Sequence, residues 1–220
     1  MLRLFFPLLC YGCDVPLVMG EKMLCTKCRD TIAMACHHRT GDREMANIFY
    51  GRFPIEHATA LFRFQKKGIS QKLLHQLKYR KQEKISGYLG EWLGEEIAGT
   101  PYFKNVDMVV PVPLHKQRQR KRGYNQVAGF GKAIAQKLGV PYRDDLLLKV
   151  IKSKSQVFKQ RFTRFEGNAV FTVTNPGALE RKHILLVDDI VTTGATLEKC
   201  AEKLLHGTGA KLSACTMAMA

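Results

Sequence analysis

The sequence predicts an α/β protein: a mainly parallel sheet with flanking helices, carrying a small amino-terminal zinc-knuckle module built on four cysteines. Three observations lead there. Short, branched apolar runs alternate with segments of helical period, the pattern of strands joined by crossover helices. The run Ile184-Leu185-Leu186-Val187 is apolar at every position, as a strand buried on both faces of a parallel sheet must be. Near the start, Cys10-x-x-Cys13 and Cys25-x-x-Cys28 stand at the spacing of paired metal ligands.

In chain order, the stretch from Met1 to Leu9 is apolar but short and interrupted by Pro7, which fits neither a membrane span nor a signal peptide. The knuckle is expected over about 5–35. Each Cys-x-x-Cys pair can present two thiolates to one ion, and four cysteines leave no open coordination position, so the site reads as structural. In a segment poor in large apolar side chains, the metal substitutes for a core, structural zinc contributing on the order of 10 kcal/mol to folding. Disulfide pairing is the alternative, as is exchange of one ligand for Cys36, His37 or His38. An irregular connector follows, giving a module and connector over 1–55 and an α/β domain over 56–220.

Within that domain, Ile69, Leu73, Leu74 and Leu77 mark one amphipathic helix. Ile85, Tyr88, Leu89, Trp92, Leu93 and Ile97 mark a second, and Val127, Phe130, Ile134 and Leu138 a third. Strands are expected at about 106–110, 169–173, 183–188 and 211–217. A last helix begins near Thr196, its face set by Leu197, Cys200, Ala201, Leu204 and Leu205, and Gly207 and Gly209 end it.

The chemistry gathers where the 183–188 strand ends. Asp188 and Asp189 sit at its carboxyl end, the edge at which open α/β sheets bind ligands. Thr192-Thr193-Gly194-Ala195-Thr196 follows and leads into the helix. Loop amides, threonine hydroxyls and the positive end of a helix can together hold a phosphate. The carboxylate pair suits the vicinal hydroxyls of a ribose, with Mg²⁺ as a third partner. The alternative is an ordinary turn whose aspartates cap the helix.

Upstream, Asp107-Met108-Val109-Val110 leads into Pro111-Val112-Pro113-Leu114-His115, a rigid turn at a strand end. Lys116, Arg118, Arg120, Lys121 and Arg122 then place five cations in seven residues, ahead of Gly123-Tyr124-Asn125-Gln126. Such a run suits either a lid closing on a polyanion or a solvated basic surface.

The stretch Ile184 to Thr196 resembles the phosphoribosyl-pyrophosphate (PRPP) motif of type I phosphoribosyltransferases. Together with the paired Cys-x-x-Cys, Pro-Val-Pro-Leu-His and Arg-Gly-Tyr-Asn-Gln, in this order, the chain resembles the ComF family of phosphoribosyltransferase-like proteins. Leu77-Lys78-Tyr79-Arg80, Gln156, Arg161 or Arg164, and Asn168-Ala169-Val170-Phe171 extend the likeness to nearly the whole chain. It departs from many relatives in lacking a further Cys-x-x-Cys, of which Cys36 alone stands near the place. The resemblance implies a phosphoribosyltransferase-like sheet. It also implies that Asp188 and Asp189 hold ribose hydroxyls, that Thr192, Thr193, Gly194, Ala195 and Thr196 wrap the 5′-phosphate, and that Pro111, Val112, Pro113 and His115 form the pyrophosphate loop. In several bacteria it further implies a role in DNA uptake during natural transformation.

The chain of 220 residues carries a formal charge of +16. The excess lies in two blocks. Residues 61–84 hold eight basic side chains against one acidic, +7, and residues 113–164 hold fourteen against two, +12. A charge on this scale exceeds what one small ligand needs and points to nucleic acid. Phe62, Phe64, Tyr79, Tyr124, Phe158, Phe162 and Phe165 interleave with the cations, as stacking on single-stranded DNA requires and as core packing also permits.

The expected function is that of a cytoplasmic, PRPP-binding protein with structural Zn²⁺ and with Mg²⁺ accompanying its ligand. PRPP or a nucleoside monophosphate would be that ligand, single-stranded DNA and the DNA-uptake machinery the partners, and no membrane insertion is expected. If catalytic, it would replace pyrophosphate at C1 of the ribose by a nucleophile. Lys116, Arg118, Arg120 and Arg122 would then hold the leaving group, and Asp188, Asp189, Arg118 and Arg122 are the candidate catalytic side chains. No base and no acceptor-recognition segment can be read. A non-catalytic DNA-uptake scaffold and a nucleotide-responsive regulator stay open beside the enzyme.

Overall fold

A computed structural model describes residues 7–114, 120, 123–151 and 169–220. Its strands are β1 (Ala58–Arg63), β2 (Met108–Pro111), β3 (Leu147–Ile151), β4 (Ala169–Val173), β5 (His183–Val191) and β6 (Lys211–Met219). Four of them form one all-parallel sheet in the order β1-β6-β5-β2. All four therefore present their carboxyl ends along one edge. The helices are α1 (Thr26–Thr31), α2 (His37–Thr40), α3 (Glu44–Asn47), α4 (Ile69–Tyr79), α5 (Lys84–Ala98), α6 (Ala128–Leu138) and α7 (Ala195–Leu205).

The all-apolar run behaves as its composition requires. Ile184, Leu185, Leu186 and Val187 are each fully buried. Leu185 and Val187 face a core shared with Leu73, Leu89 and Phe130, while Ile184 and Leu186 face a second core with Phe49, Leu197 and Leu204. Helices thus cover both faces of the sheet. Gly90 explains how α5 and α6 come so close: a Cβ there would lie 2.4 Å from the Phe130 carbonyl oxygen.

Three features differ from expectation. β1 is absent from the expected strands, because Ala58 and Ala60 are small and Thr59 is the one β-branched residue in the stretch. It forms because β6 offers it a parallel partner from Ala58↔Ala214 to Arg63↔Met219. Its other edge is covered by its own neighbourhood, through the Ala35 amide to the Leu61 carbonyl and the Arg63 amide to the Ala33 carbonyl. The expected strand at 169–173 exists, but outside the main sheet. As β4 it pairs antiparallel with β3, where Leu147 is buried while Leu148 and Val150 are exposed, an alternation that the apolar run Leu146-Leu147-Leu148 conceals. Finally, β5 continues to Val191 instead of ending at Asp188, since β6 remains its partner through Val191↔Met219.

The amino-terminal segment is packed into these cores. Cys10, Leu24, Cys28 and Ile32 share the first with α4 and α5, and Met45, Ala46 and Phe49 belong to the second. The expected irregular connector thus contains two short helical turns, α2 and α3.

Candidate functional site

β2 stops pairing with β5 at Pro111↔Val187, and the Val112 amide donates to the Val187 carbonyl at 2.9 Å. One residue further, β5 carries Asp188 and Asp189 past the end of β2. The Pro-x-Pro turn and the acid pair, 77 positions apart in sequence between Pro111 and Asp188, therefore lie side by side on the carboxyl edge. Asn125 donates through Nδ2 to the Val112 carbonyl at 3.2 Å, which ties the Tyr-Asn-Gln segment to the same turn. The Tyr124 hydroxyl donates to the Leu77 carbonyl in the last turn of α4.

Lys78, the next residue of α4, reaches Asp189, with Nζ 2.9 Å from Oδ2 and both side chains largely sheltered. Asp188 instead accepts from the Asp189 amide through Oδ1 at 2.8 Å. Burial and the adjacent charge of Asp189 push Asp188 from an ordinary 3.8 up to about 7, against the Asp189 amide, Lys78 and Lys149, which favour its ionised form. The folded chain thus holds this proton more tightly than the unfolded chain does. The empty fold loses stability as pH rises from about 4 towards 7, because burial and the neighbouring Asp189 oppose the loss of that proton.

Neither aspartate caps α7. Its N-cap is Gly194, in the left-handed region at φ 77° and with no side chain of its own to cap the helix, and the Ala195 amide donates to Thr193 Oγ1 at 3.5 Å. The amides of its first turn are therefore not taken up by the protein's own acids, which removes the capping alternative. Thr192, Thr193 and Thr196 are exposed around this end, and Gly194 itself is buried. A Cβ on Gly194 would lie 2.6 Å from Cε1 of Phe49 and 3.0 Å from Cγ2 of Ile48, so the loop rests on the segment that follows α3. Arg52 from that segment donates through Nη1 to the Thr193 carbonyl at 2.6 Å and lies 3.4 Å from Glu198 of α7.

Of the residues named from sequence, Pro111, Val112, Pro113, Asp188, Asp189, Thr192, Thr193, Gly194, Ala195 and Thr196 are brought to this edge. Arg120 is exposed. His115, Lys116, Arg118, Lys121, Arg122, Gln156, Phe158, Arg161, Phe162, Arg164, Phe165 and Asn168 lie outside the described residues. Lys78, Phe49 and Arg52 join the site from the fold alone. Lys78 stands within a family-like tetrapeptide with no role attached, and nothing in the spacing of Phe49 or Arg52 signals a loop more than 140 positions away.

The second cluster is Cys10, Cys13, Cys25 and Cys28, whose sulfurs all lie within 4.8 Å of one another and could hold a metal ion. All four thiols are free. The Gly12 and Cys25 amides donate to the Cys10 sulfur at 3.3 and 3.2 Å, and the Cys28 amide to that of Cys25 at 3.4 Å. Burial alone would push the Cys10 thiol up, yet the amides of Cys25, Gly12 and Cys13 draw it down to about 7. Burial and the neighbouring thiols hold Cys28 well above the ordinary range. Four sulfurs this close cannot all ionise without a cation among them. His37 and His38 are not exchanged into the cluster: His37 faces Glu44 at 3.3 Å, and His38 bridges Thr59 at 2.9 Å and Glu96 at 2.6 Å. Cys200 and Cys215 are buried in the cores, and Cys36 is partly exposed.

The knuckle grips α4. The Gln76 side-chain amide donates to the Tyr11 carbonyl at 2.9 Å, and Lys72 pairs with Asp14 at 2.5 Å. Part of the first basic block is thus committed to internal pairs, as is Arg63, which forms a fork on Glu44. Among its aromatics, Phe62 is core and Phe64 packs against core, while Tyr79 is exposed beside Arg80 and Lys81.

Residues 128–219 match the phosphoribosyl transferase domain family. The chain is 28% identical over 142 residues to DNA utilization protein YhgH of Escherichia coli O157:H7, covering 63% of this chain and 62% of that protein. It is 34% identical over 111 residues to competence protein ComFC of Bacillus subtilis, covering 50% of this chain and 43% of that one. To ComFC of Streptococcus pneumoniae it is 38% identical over 109 residues, covering 50% and 46%. The matches span under two thirds of the length of each of these relatives.

Proposed function

We propose, from the premise that this chain carries a phosphoribosyl transferase domain and is a relative of the ComFC competence and YhgH DNA utilization proteins, that it binds PRPP or a nucleoside monophosphate on the carboxyl edge of its sheet. The observation that carries this reading is the acid pair at the end of β5, with the start of α7, which no acidic side chain caps, next to it. Asp188 and Asp189 take the ribose hydroxyls, and the 192–196 loop takes the 5′-phosphate. The turn at Pro111, Val112 and Pro113 takes pyrophosphate. Mg²⁺, bound through carboxylate and phosphate oxygens, would supply positive charge to the pyrophosphate. Lys78 supplies positive charge to Asp189 when no ligand is present.

Calorimetry with PRPP and Mg²⁺ tests the reading. Binding is expected for the wild-type chain, with melting-point protection that Asp189→Asn loses while remaining folded. A ligand at a hundredfold excess over Kd adds about 2.7 kcal/mol to stability. Unchanged protection in the variant would sink the ribose assignment. Pyrophosphate release with candidate acceptors then separates transferase from binding protein.

Cys10, Cys13, Cys25 and Cys28 hold a structural zinc ion in this reading, supported by four converging sulfurs and their amide donors. Seven cysteines, an odd number, with four at zinc spacing, support a reducing, cytoplasmic compartment. Among the described residues no helix is long and apolar enough to cross a membrane.

The net charge of +16 supports a second ligand, single-stranded DNA, and with it a part in DNA uptake. Its affinity should fall with salt by about 0.7 log units per log unit for each phosphate contacted. Replacing Arg118, Arg120 and Arg122 with alanine should flatten that slope by roughly 2. A slope unchanged in the triple variant would leave those side chains without a role in DNA contact.

A further inference from the structure

Two features meet behind the 192–196 loop. The Thr193 carbonyl is held by Arg52 Nη1 at 2.6 Å. Across a trans peptide, the carbonyl of one residue and the amide of the next point in opposite directions, so fixing the Thr193 oxygen towards Arg52 turns the Gly194 N–H to the other side of the loop. Phe49, fully buried, occupies the space a Cβ on Gly194 would need and sets that peptide's height. Phe49 is itself braced by Phe53, with ring centroids 5.0 Å apart. Glu198, in the first turn of α7, brings a negative charge to the end where an anion would bind, and Arg52 lies against it at 3.4 Å.

We propose that Arg52 is a positioning residue of the phosphate site: it holds the Thr193–Gly194 peptide so that the Gly194 amide donates to the 5′-phosphate, and it offsets the charge of Glu198. The inference rests on the reading of the 192–196 loop as that phosphate site. It makes the segment from Ile48 to Arg52, which precedes the family-matched stretch, a structural wall of the ribose 5-phosphate site.

The test uses the full chain, with ribose 5-phosphate as the probe and the ¹⁵N–¹H resonance of Gly194 as the local reporter. Arg52 is a surface side chain, so Arg52→Gln is expected to melt within a few degrees of wild type. Ribose 5-phosphate should bind it about tenfold more weakly, the scale of one charge-assisted hydrogen bond. The ligand-induced shift of the Gly194 amide should shrink in parallel, and Arg52→Lys, which keeps both charge and donor, should recover most of both signals. Three outcomes overturn the inference while leaving the site reading intact: unchanged affinity in Arg52→Gln, weakened affinity with the Gly194 shift preserved, and no recovery in Arg52→Lys. If ribose 5-phosphate leaves the wild-type Gly194 resonance unmoved, the phosphate-site reading falls and takes this inference with it.

Discussion

Cys25→Ser is expected to abolish the zinc binding proposed for the four-cysteine cluster and to unfold the amino-terminal segment around it. Cys25 lies at the centre of the cluster, accepting from the Cys28 amide, passing its own amide to Cys10, and standing 3.6 Å from Cys13. With three sulfurs left, the tetrahedral shell cannot close, and a contribution on the order of 10 kcal/mol is withdrawn from a segment with little core of its own. The loss should spread. Leu24 and Ile32 are buried against α4's side of the sheet, and Gln76 and Lys72 of α4 hold Tyr11 and Asp14. Since α4 also braces the carboxyl edge, through the Leu77 carbonyl that accepts from the Tyr124 hydroxyl, its displacement should weaken ligand protection along with metal content. Elemental analysis and limited proteolysis measure both effects. Full zinc in the variant, or wild-type protease resistance, would refute the assignment of Cys25.

Gly194→Ala should be nearly as damaging to binding. Its φ of 77° costs an L residue roughly 1–2 kcal/mol. The added Cβ also meets Phe49 at 2.6 Å, and Phe49 is fully buried against Phe53 and cannot withdraw. The loop must shift, and its amides with it. The expected result is a lower melting point and no protection by ribose 5-phosphate. Gly207→Ala is the control, with a similar φ of 70° and nothing within 4 Å of its Cβ. It should show the backbone cost alone and keep ligand protection. Equal behaviour of the two variants would mean that Phe49 does not support the loop.

The part of this architecture legible in sequence is the part written in local patterns. Ile184 to Val187 declares a doubly buried strand, the Leu197 to Leu205 face declares α7, and two Cys-x-x-Cys pairs declare a thiol cluster. β1 is illegible because it owes its strand state to β6, its Ala58 and Ala60 giving no strand signal of their own. The 169–173 strand is legible but its sheet is not, since neighbouring apolar residues on β3 mask a period of two. The acid pair and the loop can be read from a single motif. Lys78, Phe49 and Arg52 cannot, because a lone lysine, phenylalanine or arginine has no signature until folding sets it against a residue from another part of the chain.

The strand order β1-β6-β5-β2 has a consequence for biosynthesis. At roughly 5–20 residues per second, about 150 residues separating β1 from β6 are translated over some 8–30 seconds. Throughout that interval β1 is without its parallel partner, an unpaired edge open to mispairing with other chains. The contacts of Ala33 and Ala35 with Arg63 and Leu61 span fewer than thirty-five residues, so they can form first and close one of the two edges. The other edge waits for β6, which enters between β1 and β5 and joins the early and late halves of the chain in one step. The edge that carries the acid pair is therefore completed only when β6 has been made, since β6 is the partner of β5 through Val191↔Met219.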